Sequence, residues 1–330
     1  MILTRMRPND LFKVNVDDVA PDRREDAKGE LANHFEPFSR DFKIPIEIIV
    51  TRDFAGTVGR ILSSELGVEI LYSAKQKEVI AIAKVIPYSR DDGLGFIIVF
   101  DASAFGAWEK EQRIWRLLTF IHEGTHVRDD KTLLDNIGAK SFFSKPTTAE
   151  DVLFRLAHDI WAEYDAERSP LEIFIVELKK ISPNATASFS SHDGHIASFG
   201  KLLETLPKFI RRTIDDFCNL RTTMDVFWPE MYNRLRETLV LAAFTSAHSD
   251  ALNKIDKKLS AIRQNKEYSF FFSIWQSIES DLRALYQTPK QYGKDTLVSI
   301  ASKLRSFFEN CGMILSNTSN GIHAEVRCGN

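Results

Sequence analysis

Residues 119–130 read TFIHEGTHVRDD, and the fold turns on whether this stretch is a helix that holds a metal. On a helix, residues four apart lie on one face about one turn apart, so His122 and His126 aim their rings the same way. That spacing suits two imidazoles on one tetrahedral zinc, at about 2 Å per bond. Glu123, one residue on, sits about 100 degrees round the helix and cannot join them as an in-line ligand. It reaches instead toward the water that fills an open zinc position. Zinc lowers the pKa of such a water toward about 7, and a nearby carboxylate takes its proton as it attacks a carbonyl. The alternative is two surface histidines beside an unrelated glutamate. With 8 histidines in the chain, HExxH arises by chance in on the order of one such sequence in a hundred, so context decides.

The context upstream is strand-like. IPIEIIVT (44–51), VEILYSA (68–74), VIAIAKVIPY (79–88) and GFIIVFDA (95–102) are rich in β-branched residues and read as a small sheet, with RDDG (90–93) as a turn. TVGRILSSEL (57–66) reads as helix, as does a leading amphipathic stretch from Asp22 to Phe35. Ile114, Leu117, Leu118 and Ile121 follow the three-four spacing of a half-buried helix that runs into the motif. A further helix runs from Thr148 to about Glu167 and ends at Ser169-Pro170. Helices follow over roughly 171–181, 196–218, 228–247, 251–264, 268–286 and 294–309, with ISPNATASFSSHDG (181–194) as a linker. Phe209, Phe217, Phe227, Trp228, Phe244, Phe270, Phe271, Phe272 and Trp275 read as core of the helical part.

The bulk properties exclude several classes. A net charge of -3 offers no basic face for nucleic acid. No stretch approaches the roughly 18 apolar residues of a membrane helix, and the start does not read as a signal peptide. Cys218, Cys311 and Cys328 are odd in number and widely spaced, so the expectation is plain thiols in a reducing cytoplasm.

A catalytic zinc usually has three protein ligands, and the third must come from elsewhere. In HDIWAEYDAERS (158–169), Asp159, Glu163 and Glu167 are four apart and form an acidic stripe. Either the stripe is solvated, or Glu163 ligates while Glu167 accepts the spare N–H of a ligating histidine. His158, on a different face of that helix, ligates only if Glu163 does not; His192 and His195 read as linker residues, with metal binding or an oxyanion-stabilising role as the alternatives; His34, His248 and His323 show no partner pattern. Gly124, mid-helix, costs roughly 1 kcal/mol against alanine, which suggests that a backbone or substrate comes close there. Asp129 and Asp130, one turn past His126, read as solvated charges, or as carboxylates that orient an imidazole.

HEGTH followed by EYDAE resembles the gluzincin branch of the HExxH zinc metallopeptidases. Glu163-Tyr164-Asp165-Ala166 matches that group's ExxA setting for the glutamate ligand. The resemblance implies zinc on His122, His126 and Glu163, Glu123 as general base, and a mixed sheet whose edge strand, GFIIVFDA here, pairs with an extended substrate. The interval between His126 and Glu163 implies an inserted loop over about 131–147, and no match for an oxyanion-stabilising tyrosine or histidine stands out.

The expected fold is therefore α+β. It comprises an N-terminal helical segment (1–43), a zincin-like domain (44–180) with both the HExxH and Glu-bearing helices, a helical domain (181–315) and an unordered tail (316–330). The expected activity is zinc-dependent hydrolysis of peptide bonds in a peptide or protein, with no nucleic acid or membrane partner. A degenerate zincin that binds or regulates without cleaving is the alternative.

Overall fold

The computed structural model describes residues 11–66, 75–76, 79–80, 82–90, 93–105, 110–181, 190–253, 256–288, 294–319 and 321–328. The strand expected over 68–74, the centre of the turn at 91–92 and linker residues 182–189 lie outside the described residues. The chain is α+β and divides into two compact units, Met1–Phe143 and Ser144–Asn330. The division falls between the HEGTH helix and the helix that bears Glu163, where the sequence reading has both in one domain.

In the first unit, β1 (Phe12–Asn15), β2 (Ile46–Thr51), β5 (Ala83–Arg90) and β6 (Gly93–Asp101) form one sheet of order β1-β2-β6-β5. β1, β2 and β6 run parallel, and β5 is antiparallel to β6. β3 (Lys75–Gln76) and β4 (Val79–Ile80) pair separately. β6 is therefore interior, not the edge strand expected of GFIIVFDA, and the edge strands among the described residues are β1 and β5. Every residue of β2 is buried because helices cover both faces of the sheet. Ile46, Ile48, Val50, Phe96, Ile98 and Phe100 meet Leu31 and Phe35 of α1 (Arg24–Phe42) and Phe120 and Val127 of α3 (Lys110–Ile137). On the other face Ile49, Ile97 and Val99 meet Phe54, Val58 and Ile61 of α2 (Phe54–Leu66). Each such side chain contributes about 1.5–3 kcal/mol by leaving water.

Two backbone details shape the edge. Phe96 N–H bonds Pro45 on the β2 side, so its cross-strand partner Pro87 directs its nitrogen away from β6. The sheet thus loses no ladder bond to the proline, and the outer edge loses a donor. Gly95 pairs with Tyr88, and a Cβ built there would stand 2.3 Å from the Tyr88 Cζ. Gly95→Ala should destabilise the protein by about 1–3 kcal/mol, seen as a lower thermal midpoint, because the ring has to leave its seat. An unchanged midpoint would show that the ring moves freely.

α3 buries only part of its leading apolar stripe: Leu118 is buried, and Ile114 and Ile121 are half-buried. Leu117 is 50% exposed, while Phe120 and Val127 face the sheet. The setting is fixed by α1: Glu30 pairs with Arg116 at 3.1 Å and Arg113 at 3.4 Å, and Phe35 and Phe120 pack 5.8 Å apart. The loop expected at 131–147 is instead mostly the end of α3 and the short α4 (Ala139–Phe143).

The second unit is helical with a terminal hairpin. α5 (Ala149–Ile181), α6 (Ser190–Cys218), α7 (Met224–Ala251), α8 (Lys257–Gln264), α9 (Ser269–Gln287) and α10 (Lys294–Asn310) precede β7 (Met313–Thr318) and β8 (Gly321–Val326). α7 packs against α5 and α6, and α10 against α5 and α9. Phe227, Phe271, Phe272 and Trp275 are buried, so the apolar run YSFFFSIW belongs to the core.

Three expectations need correcting here. α5 does not end at Ser169-Pro170 but continues through the proline, which leaves the Ala166 carbonyl without its helical donor. Packing along α7 and α10 outweighs that cost, about 3 kcal/mol. Of the tail expected to be unordered, the described residues 316–319 and 321–328 lie mostly in the β7–β8 hairpin. Asn317 of β7 caps α5, accepting from Ala149 N–H at 2.7 Å and donating to Glu150 at 2.6 Å. Lastly, Cys218 and Cys328 are bonded, with Cα atoms 5.8 Å apart, and only Cys311 is a free thiol. That removes the thiol argument for a reducing compartment. No described helix is long and apolar enough to cross a membrane.

Candidate metal centre

The packing of α1 against α3 decides where the histidines point. Phe120 and Val127 face the sheet, and Gly124 lies between them under α1: a Cβ there would stand 3.1 Å from Phe38 Cζ and 3.5 Å from His34 Nε2. The close neighbour that the glycine suggested is therefore α1 itself. His34 Nε2 is buried with no hydrogen-bond partner among the described residues, and burial holds this imidazole below its ordinary pKa against an opposing bond with the Phe120 backbone.

Round the helix from that stripe come His122 and His126. Their Nε2 atoms are 3.2 Å apart and their ring centroids 4.8 Å, with planes at 76°. Two nitrogens on one tetrahedral zinc, each about 2.0–2.1 Å from it, lie about 3.3 Å apart. The pair fits that requirement without movement. It equally fits a ring-to-ring hydrogen bond, in which the bridging proton takes the place a cation would hold. Glu123 is 5% exposed, and Thr125 donates to the Ile121 carbonyl at 2.9 Å as an ordinary helix residue. Asp129 is not a solvated charge but 3% exposed, 3.2 Å from Arg128 Nε.

The acidic stripe of α5 is likewise not a solvated face. Asp159 pairs with Arg236 of α7 at 2.8 Å. That carboxylate, with a further contribution from the charge on Glu163, holds the Arg236 guanidinium above its ordinary pKa. Glu167 meets His248 Nε2 of α7. Glu163, half-buried, lies between the two on the same face. Asp159 and Glu167 thus look toward side chains of α7 rather than toward water.

Glu167 also brings in His195, which the sequence favours as a linker residue, and His248, which shows no partner pattern there. His195 and His248 each offer a ring nitrogen that lies, with a Glu167 oxygen, within 4.8 Å of the others. His195 is in the second turn of α6, since residues 190–194 are helical rather than linker. The side chain of His192 lies outside the described residues. No local spacing links positions 167, 195 and 248, so only the folded bundle reveals them.

No family model, curated protein or solved structure matches this chain.

Proposed function

We propose that the chain is a zinc-dependent peptidase, with His122, His126 and Glu163 holding the metal and Glu123 acting as general base. The 3.2 Å separation of the two Nε2 atoms is the observation that supports it most, because it suits two donors of one tetrahedral ion. Glu163 enters by resemblance, through its ExxA setting on the helix that follows. Bound zinc would polarise the scissile carbonyl and make water acidic enough to ionise near neutral pH.

The rest falls to the protein. The Glu123 carboxylate accepts the proton of the attacking water, keeps it in a buried position, and returns it to the leaving amide nitrogen. A peptide held in extended form would pair with β5, the edge strand packed against α3. Pro87 leaves a gap in that ladder, so pairing falls on its flanking residues.

The test is zinc content together with cleavage of a peptide library by the full chain. His126→Ala should lower bound zinc by one equivalent and abolish cleavage, and a chelator should do the same until zinc is restored. Unchanged zinc in His126→Ala would overturn the reading. Zinc that is held with no cleavage of any peptide would leave the binding or regulatory alternative.

A further inference from the structure

The helical unit contains a second set of donors, independent of the HEGTH helix. Glu167 comes from α5, His195 from α6 and His248 from α7. One carboxylate oxygen and two imidazole nitrogens converge there, mutually within 4.8 Å. Two imidazoles and a carboxylate form a donor set that suits zinc, with its coordination completed by one further small ligand. The closest pair, Glu167 and His248, is already in contact. Donors on a tetrahedral zinc are about 3.3 Å apart, so an ion has to draw the three donors together by no more than about 1.5 Å.

The three side chains are also held in place. His248 is wholly buried, and its ring stands edge-on to His195 with centroids 5.4 Å apart and planes at 86°. Phe244, one turn before His248 on the same face of α7, stacks on the His195 ring at 5.1 Å and 20°. Glu167 is flanked on α5 by Tyr164 and Arg168. Tyr164 donates to Asp250 of α7 at 2.6 Å, and Arg168 donates to the Tyr164 oxygen at 2.7 Å and to Glu172 at 2.7 Å. On α9, buried Glu279 accepts from Ser246 of α7 at 2.6 Å and from Arg263 at 3.2 Å. Such a connected polar core fixes α5 and α7 against each other before any ion arrives.

We propose that Glu167, His195 and His248 form a zinc site that clamps α5, α6 and α7 together. The site stabilises the bundle, since an ion that binds only the folded chain shifts the folding equilibrium toward it. It stands whether or not the peptidase reading holds.

The experiment counts zinc per full-length chain after metal stripping, dialysis against zinc and removal of the excess. His122→Ala/His126→Ala should retain one equivalent, and adding His195→Phe should leave none. The phenylalanine keeps a ring against Phe244 and removes the donor nitrogen, so folding, checked by circular dichroism, should survive. Zinc should raise the thermal midpoint of the stripped His122→Ala/His126→Ala chain by several degrees and leave its His195→Phe derivative unmoved. Glu167→Gln should weaken this zinc by more than the roughly 10–100-fold that loss of a ligand's own hydrogen-bond partner costs. Equal zinc with and without His195→Phe, or no zinc in the folded His122→Ala/His126→Ala chain, would overturn the site. Either outcome would mark a carboxylate shared by two imidazoles through hydrogen bonds alone. Failure of the peptidase reading looks different, as zinc unchanged by His122→Ala/His126→Ala and lost with His195→Phe.

Discussion

Glu123→Gln should bind zinc at the same stoichiometry as the unaltered chain and lose peptide hydrolysis by about 10²–10⁴-fold, the usual contribution of a positioned general base. Glutamine keeps the size and hydrogen-bonding reach of the side chain, so the buried site at position 123 should accept it. What it lacks is a pair of electrons that can take a proton near neutral pH. The prediction separates two roles that a plain deletion would confuse. Were Glu123 a ligand, zinc would fall with activity. Were it a structural residue, activity would survive while stability suffered. Metal analysis, initial rates on a peptide substrate and a thermal melt, made on the same preparation, decide among the three. Hydrolysis that persists at the original rate removes Glu123 from the chemistry.

The second large effect concerns the bridge between Cys218, at the end of α6, and Cys328, just past β8. The cysteines are 110 residues apart, and a bond that closes a loop of that size is worth up to about 4–5 kcal/mol through the entropy it removes from the unfolded chain. The Cys218→Ser/Cys328→Ser chain should unfold at clearly lower urea concentration, with a somewhat steeper slope because the unbridged chain exposes more surface when unfolded. Substitution is preferable to a dithiol reductant, because thiols also compete for zinc. Thiol counting gives an independent reading. Cys311 is buried, and burial pushes its thiol up to about 12, so native protein should react hardly at all. Denatured, unreduced protein should show one thiol per chain. Three would mean that the bridge does not form, and would restore the cytoplasmic setting that the sequence suggests.

Features carried by local pattern were legible in the sequence. The HEGTH helix, the β-branched runs that became β2, β5 and β6, and the helices of the second unit follow from periodicity within a dozen residues. Features set by distant partners were not. Ile114, Leu117, Leu118 and Ile121 read as the apolar positions of a half-buried helix, and Leu118 is buried while Leu117 is exposed, because Glu30 and Phe35 on α1 set the rotation of α3. Pro170 is a sound stop signal for a helix in isolation, and α7 and α10 override it. Cys218 and Cys328 carry no spacing signature, and neither do Glu167, His195 and His248. Whether GFIIVFDA lies inside or at the border of the sheet depends on pairing order, which no single strand encodes.

The unbroken course of α5 has a mechanical corollary. Glu163 and Glu167 occupy adjacent turns of a single rod, roughly 6 Å apart along its axis. The missing proline donor weakens the rod only at the Ala166 carbonyl and beyond, toward residue 181. Bending there pivots beside Glu167 and swings the far arm, so it moves residue 181 much more than it alters the gap between the two acids.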